Sequence, residues 1–270
     1  MPDRRLAKDQ TFDIVYREIQ PAPDLSWLVW HFWEMDVRRI QGETFAHRIV
    51  PDAGLSIVVL PGNRLFALGP RTQAIEVPVH QGDFFAGVRF HPGVAQSVFG
   101  LDTDECVEFT GLLEVISPKL ASVLATSFSE LAGTESQILI LSSALKTMCV
   151  DPNSVDPILL DANHEIAIAL GDIDVMTLAN RLHVTTRRLQ RLFKRWVGLS
   201  PKQVIRLRRF RSSATNLVRE TPLSWAEVAA ERGFSDQSHL IRDFTELAGG
   251  NPSLLSGQIG KIRHDGLDDA

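Results

Sequence analysis

The chain has only two cysteines in 270 residues. Cys106 and Cys149 lie 43 positions apart with no Cys or His at ligand spacing, which argues against a disulfide framework or a thiolate zinc site and points to a reducing compartment. No segment approaches the roughly 18 apolar residues of a membrane span, and Met1 to Gln10 lacks the apolar stretch of a secretory signal. The reading is therefore a cytoplasmic protein without a membrane partner. His-x-His pairs are also missing: His31, His47, His80 and His91 stand singly, unlike the clustered ligands of a metal-dependent cupin. Neither a glycine-rich phosphate loop nor a Gly-x-Ser-x-Gly elbow occurs. No catalytic residue, metal site or cofactor is expected, and the chain is not read as an enzyme.

What is present is ordinary globular composition, 44% hydrophobic and 23% charged, with the charge unevenly placed. Residues 171–260 hold 14 Lys and Arg against 8 Asp and Glu, a local +6 that leaves −11 for the rest of a chain whose total is −5. Binding to a polyanion follows the local patch and not the whole-chain sum, so an acidic pI near 5.9 does not exclude a nucleic-acid partner.

Residues 11–90 read as strands, short apolar runs broken by Gly and Pro, with the best at 27–33, 55–60, 64–68 and 83–90 and a hairpin turn at Pro61-Gly62-Asn63. Pro92-Gly93 closes the last of these, and 94–99 can start a short helix. Helical patterns at 118–131 and 137–148 are expected to join two domains. From 157 onward no strand is expected; helices are read at 157–170, 175–182, 186–197, 201–218, 225–232 and 236–247, with a short one after Pro252. The fold class is α+β: a mainly β regulatory domain (1–116), a helical connector (117–154), an all-α domain (155–257) and an unstructured tail (258–270), which is polar and short of core residues.

The all-α part carries one motif twice. Leu178-Ala179, Phe193, Gly198 and Pro201 recur as Val228-Ala229, Phe244, Gly249 and Pro252, offset by 50 residues at the start and 51 at the end. Each copy reads as a short helix, a tight turn and a second helix, the outline of a helix-turn-helix. Ser200-Pro201 with Gln203, and Ser224 with Glu227, have the pattern of capping boxes. In the first copy Leu189, Leu192, Phe193 and Trp196 recur at helical spacing. Thr186, Arg187, Gln190, Arg191 and Lys194 fall on the opposite face, and Arg188 and Arg195 add charge. Arg pairs with guanine, Gln with adenine and Lys with phosphate in a major groove; standing alone, such a run is more often a solvated helix face. In the second copy Gly233 permits the turn, Ser235 is read as the cap, and Gln237, Ser238, His239 and Arg242 are the groove candidates.

On Leu178-Ala179, Leu189-Gln190-Arg191-Leu192-Phe193, Gly198-Leu199-Ser200-Pro201, Val228-Ala229, Gly233 to His239 and Phe244, the C-terminal hundred residues resemble the DNA-binding domain of the AraC/XylS family of bacterial transcription regulators. The resemblance implies two helix-turn-helix units joined by a long helix at 201–218, with recognition helices in successive major grooves. By motif position Arg187, Gln190 and Arg191 read bases in the first unit, and Gln237, Ser238, His239 and Arg242 in the second. Double-stranded DNA is the implied partner; RNA polymerase, a second protomer forming a homodimer and a small-molecule effector are further candidates. Asp243, Thr245-Glu246 and Gly249-Gly250-Asn251-Pro252 depart from the family pattern and weaken the expected second contact.

The N-terminal half resembles a sensor-position domain of undefined role found in some AraC-type regulators, through His47 to Asp52 and Gly87 to Gly93. Trp30, Trp33 and Arg89 are the ligand candidates, among Trp27, Trp30, Phe32 and Trp33, of which at least two are read as simple core. Asp52 and Arg89 are read either as site residues or as a structural pair.

Overall fold

β-branched and aromatic residues in alternating stretches produce seven strands before residue 91. The computed structural model describes residues 12–130, 136–148, 151–218, 222–259 and 262–265. The strands are β1 (Asp13–Ile19), β2 (Val29–Arg39), β3 (Phe45–Ile49), β4 (Ser56–Leu60), β5 (Arg64–Leu68), β6 (Ile75–Val79) and β7 (Phe84–Phe90). Next come α1 (Val94–Phe99), α2 (Thr103–Cys106), β8 (Thr110–Leu112), α3 (Leu113–Ile116), α4 (Pro118–Glu130) and α5 (Gln137–Thr147). The C-terminal part is α6 (Pro157–Ile168), α7 (Val175–Arg181), α8 (Thr186–Trp196), α9 (Pro201–Ala214), α10 (Trp225–Glu231), α11 (Gln237–Ala248), α12 (Pro252–Ile259) and β9 (Ile262–Asp265).

The main sheet runs β8-β5-β4-β7-β2-β1-β9, and β3 and β6 form a separate antiparallel pair. Side-chain alternation divides its two faces. Phe32, Ile57, Val59, Ala86 and Val88 enter the larger core with α4 and α5, whereas Trp33, Met35, Val37 and Val58 form a smaller core with Val79 of β6. Gly62 (φ 77°) and Asn63 (φ 59°) make the expected turn between β4 and β5.

The helical segments at 118–131 and 137–148 do form, and α4 packs on β5, and α5 on β2 and β7, covering one sheet face. One expectation needs correction. The tail beyond Gly257 is not without structure: β9 pairs in parallel with β1, from Ile14↔Ile262 to Arg17↔Asp265, and buries Ile262. Four residues are too few for a periodic signal, and the open edge of β1 supplies the hydrogen bonds that order them. Residues 266–270 lie outside the described part.

The larger core is continuous from sheet to helices, running through Val94, Val155, Leu159 and Val197 to Phe193, Phe210 and Phe244. The all-α part is therefore seated on the sheet domain. Among the described residues no helix is long and apolar enough to cross a membrane.

Candidate nucleic-acid interface

Asp174 caps α7 by accepting from the amides of Met176 and Thr177, and Thr185 caps α8 by accepting from Arg188 N–H. Leu189, Leu192 and Phe193 are buried and Trp196 half-buried, so the opposite face of α8 is left to solvent. On that face Thr186, Arg187, Arg188, Gln190, Arg191, Lys194 and Arg195 are all exposed. Gly198 then ends α8 at φ 80°, donating to the Phe193 carbonyl. A Cβ there would also lie 2.2 Å from Val107 Cγ2. This glycine serves both the cap and the seat on the sheet domain.

The second unit is built alike. Ser200 with Gln203 and Ser224 with Glu227 form the two capping boxes at α9 and α10. Gly233 turns the chain at φ 68°. The cap of α11 is Asp236, which accepts from His239 N–H at 2.7 Å, and not Ser235. Ser235 instead contacts His239 Nδ1 at 3.2 Å while the imidazole packs edge-on to Phe234. Gln237, Ser238 and Arg242 are exposed and His239 is half-buried in the turn.

The acidic residues of α11 do not face outward as a group. Arg206 of α9 donates Nε and one terminal nitrogen to Asp243, and both terminal nitrogens to Glu246. Hydrogen bonds to Glu246 and Asp243 raise the Arg206 pKa, and Asp243 is buried. Arg209 completes the brace, donating to the Gly171 carbonyl before α7 and to the Gly233 carbonyl in the second turn. Helix α9 thus fixes one unit against the other. It is also shorter than read, ending at Ala214 and continuing as a 3₁₀ turn over Thr215–Leu217.

The sheet domain holds this assembly at several points. Lys194 lies 3.3 Å from Asp104, and the Thr103 hydroxyl donates to the Arg195 carbonyl at 2.8 Å, closing one carbonyl at the end of α8. Ala74 N–H donates to the Leu247 carbonyl and Arg48 to that of Ala248, at the end of α11. Asp52 meets Arg89 at 3.3 Å and Arg211 of α9 at 3.1 Å.

Of the ligand candidates, Trp30 and Arg89 converge on this junction and Trp33 does not. The Trp30 ring lies under the guanidinium groups of Arg208 (4.8 Å) and Arg211 (5.5 Å), whereas Trp33 stacks on Tyr16 in the smaller core. Their three-residue separation along β2 sends them apart. Burial opposes the charge of Arg89, but Asp52, Tyr16 and Glu18 outweigh it and raise its pKa.

A family model described as a helix-turn-helix domain matches residues 178–256, and a domain of unknown function, DUF6597, matches residues 17–110. Residues 178–256 thus form an AraC-type helix-turn-helix domain. This domain is similar to the C-terminal domain of AraT, a response regulator from Geobacillus stearothermophilus, at 21% identity over 43% of this chain and 91% of that one (TM-score 0.36). It is also similar to the DNA-binding domain of AdpA, a global transcriptional factor solved with a target DNA, at 26% identity over 38% of this chain and 93% of that one (TM-score 0.35). ToxT from Vibrio cholerae O395 matches 93% of this chain and 98% of its own at 11% identity (TM-score 0.40). No curated protein matches the chain.

The junction residues were the least legible. Arg206, Arg208, Arg209 and Arg211 read as parts of a basic patch, yet all four are engaged within the protein. Among these, only the amphipathic spacing of α9, with Val204, Ile205 and Leu207 buried, distinguishes it from a solvent-facing basic helix.

Proposed function

We propose that this regulator binds double-stranded DNA sequence-specifically, with α8 and α11 in major grooves. Arg187, Gln190 and Arg191 read bases in the first site, and Gln237, Ser238 and Arg242 in the second. Thr186, Arg188 and Lys194 sit beside the phosphates. His239 sits at the edge of the second contact. The observation that carries the reading is the outer face of α8, where five exposed cations stand with no acidic residue in the helix. Such a face neutralises phosphates and releases counterions on binding. Titration of the full chain on promoter fragments across salt concentrations tests this: affinity should fall steeply and log-linearly with salt, and salt-independent binding contradicts it.

In the same reading the sheet domain modulates DNA binding through a ligand at its junction with α9. The cleft lined by Trp30, Asp52, Arg208 and Arg211 favours a ligand over a purely protein-binding role for that domain. The alternative, self-association or a protein partner without a small molecule, would leave DNA affinity insensitive to metabolites and sensitive to protein concentration.

A further inference from the structure

Between the sheet, α6 and α9 lies a small, partly open cleft of about 40 Å³, lined by Trp30, His91, Ile166, Leu207, Arg208 and Arg211 among others. Arg208 and Arg211 line it, and Arg89 reaches the Asp52 carboxylate that also lines it. Arg89 and Arg211 share the Asp52 carboxylate, but Arg208 is in ion-pair reach of no carboxylate among the described residues. One terminal nitrogen of Arg208 reaches the Ala167 carbonyl at 3.4 Å, and its buried Nε has no partner. Its pKa is depressed to about 10, first by burial and then by Arg211, with Arg232 adding to the repulsion.

The histidines do not alter this balance, since burial lowers the pKa of both His31 and His91 toward the neutral form. Glu18, hydrogen-bonded by Tyr16 and 3.4 Å from His31, supplies the second negative charge of the cluster. Arg89, Arg208 and Arg211, with Arg232 also acting on Arg208, outnumber Asp52 and Glu18, so the cluster carries a positive excess around half-buried guanidinium groups. A buried charge without a counter-ion is costly, so an anion that entered here would be held.

We propose that the cleft is a binding site for a small monocarboxylate with a short apolar body, its carboxylate on Arg208 and its body against Ile166 and Leu207. This rests on the reading of the sheet domain as ligand-responsive. The positive excess favours an anion, and a wholly polar one such as sulfate or phosphate would leave the apolar side of the cleft unfilled. The guanidinium edge offers parallel donors that match a carboxylate, and the lining is otherwise mostly apolar, with Ala53, Pro92, Ala167 and Val204. A bound ligand touches Trp30 and His91 of the sheet domain and Arg208 of α9, the helix that braces both helix-turn-helix units, so occupancy bears directly on their placement.

The test uses the full chain with propionate as probe, and acetate, chloride and sulfate at matched ionic strength as comparison. Thermal unfolding and calorimetric titration should show saturable stabilisation by propionate, stronger than by acetate and absent with chloride and sulfate. Arg208→Met should weaken propionate binding about ten-fold or more and raise the anion-free melting temperature, because it removes the uncompensated charge. Asp52→Asn, if it folds, should bind propionate more tightly, the reverse of general damage. No saturable effect in the unaltered protein, an equal response in Arg208→Met, or an equal response to sulfate overturns the site. Propionate binding that leaves DNA affinity unchanged supports the site and overturns the regulatory reading instead.

Discussion

Arg211, on the helix that joins the two DNA-binding units, lies 3.1 Å from the Asp52 carboxylate of the sheet domain, which Arg89 also approaches at 3.3 Å. One buried acid therefore serves a buried and a half-buried base, and the consequences of removing each are unequal. Asp52→Ala removes the carboxylate that both guanidinium groups share, and breaking such a buried pair costs about 3–5 kcal/mol. Arg211→Met leaves Asp52 paired with Arg89 and should cost clearly less. Urea unfolding at pH 7 compares them; equal losses would show that Arg89 alone does not satisfy the acid.

A second contact engages the face of α8 proposed to meet DNA. Lys194 pairs with Asp104, but the two side chains are 67% and 83% exposed, so the pair contributes little to stability. In the proposed complex DNA phosphate would compete with Asp104 for the same ammonium group. Asp104→Asn should leave the melting temperature nearly unchanged and tighten DNA binding modestly, at low salt more than at high. Unchanged affinity at low salt would mean that Lys194 does not face the phosphates.

Acid should destabilise the protein before its carboxylates titrate. His31 is 2% exposed, and burial first, then Arg89 and Arg211, hold its pKa well below the ordinary 6.5. His47, lowered to about 4 by burial and by His264, follows the same sign. The unfolded chain then takes up protons that the folded chain does not. Stability is full above about pH 6.5 and falls as pH drops toward 4, by up to about 1.4 kcal/mol per pH unit for each such histidine. Denaturation midpoints measured from pH 7.5 to 4.5 check this, and His31→Gln should flatten the slope. A level profile across that window would contradict buried neutral histidines.

The helix-turn-helix units were legible because their signals are local: caps at Ser200 and Ser224, a left-handed glycine at Gly233, and apolar residues at helical spacing in α8. Contacts such as Asp52 with Arg211 or Thr103 with Arg195 were not, because they join distant segments and carry no periodicity. The same limit affected Asp243 and Glu246, which read as charges on a DNA-facing helix until Arg206 is placed beside them. Strand β9 shows the other limit. Its pairing depends on the free edge of β1 more than on its own four residues.

That strand gives a test of the tail. Ile262 is buried against the smaller core beside Ile14. Ile262→Ala should lower full-chain stability by about 1.5–3 kcal/mol, the value of a buried aliphatic side chain, and hydrogen exchange should accelerate along β1. An unstructured tail would show neither change.

The two units should contribute unequally to DNA binding. Helix α8 presents Arg187, Arg188, Arg191, Lys194 and Arg195, whereas α11 offers Arg242 alone, with Asp243 and Glu246 drawn toward Arg206. Each phosphate neutralised adds a counterion-release contribution, so the first unit should supply most of the affinity, while Gln237 and Ser238 should give the second a share in specificity. Arg191→Ala should weaken binding by about 1–3 kcal/mol and relax preference at its base position. Arg242→Ala should cost less. Arg206→Ala, although its side chain is turned to α11, should also weaken binding, because it frees two carboxylates near the phosphates and loosens the brace on α11; this loss should shrink at high salt where that of Arg191→Ala in base preference persists. The three affinities on one operator at two salt concentrations decide the matter. If Arg242→Ala abolishes binding while Arg191→Ala is nearly silent, the second unit is the principal reader and the charge argument is wrong.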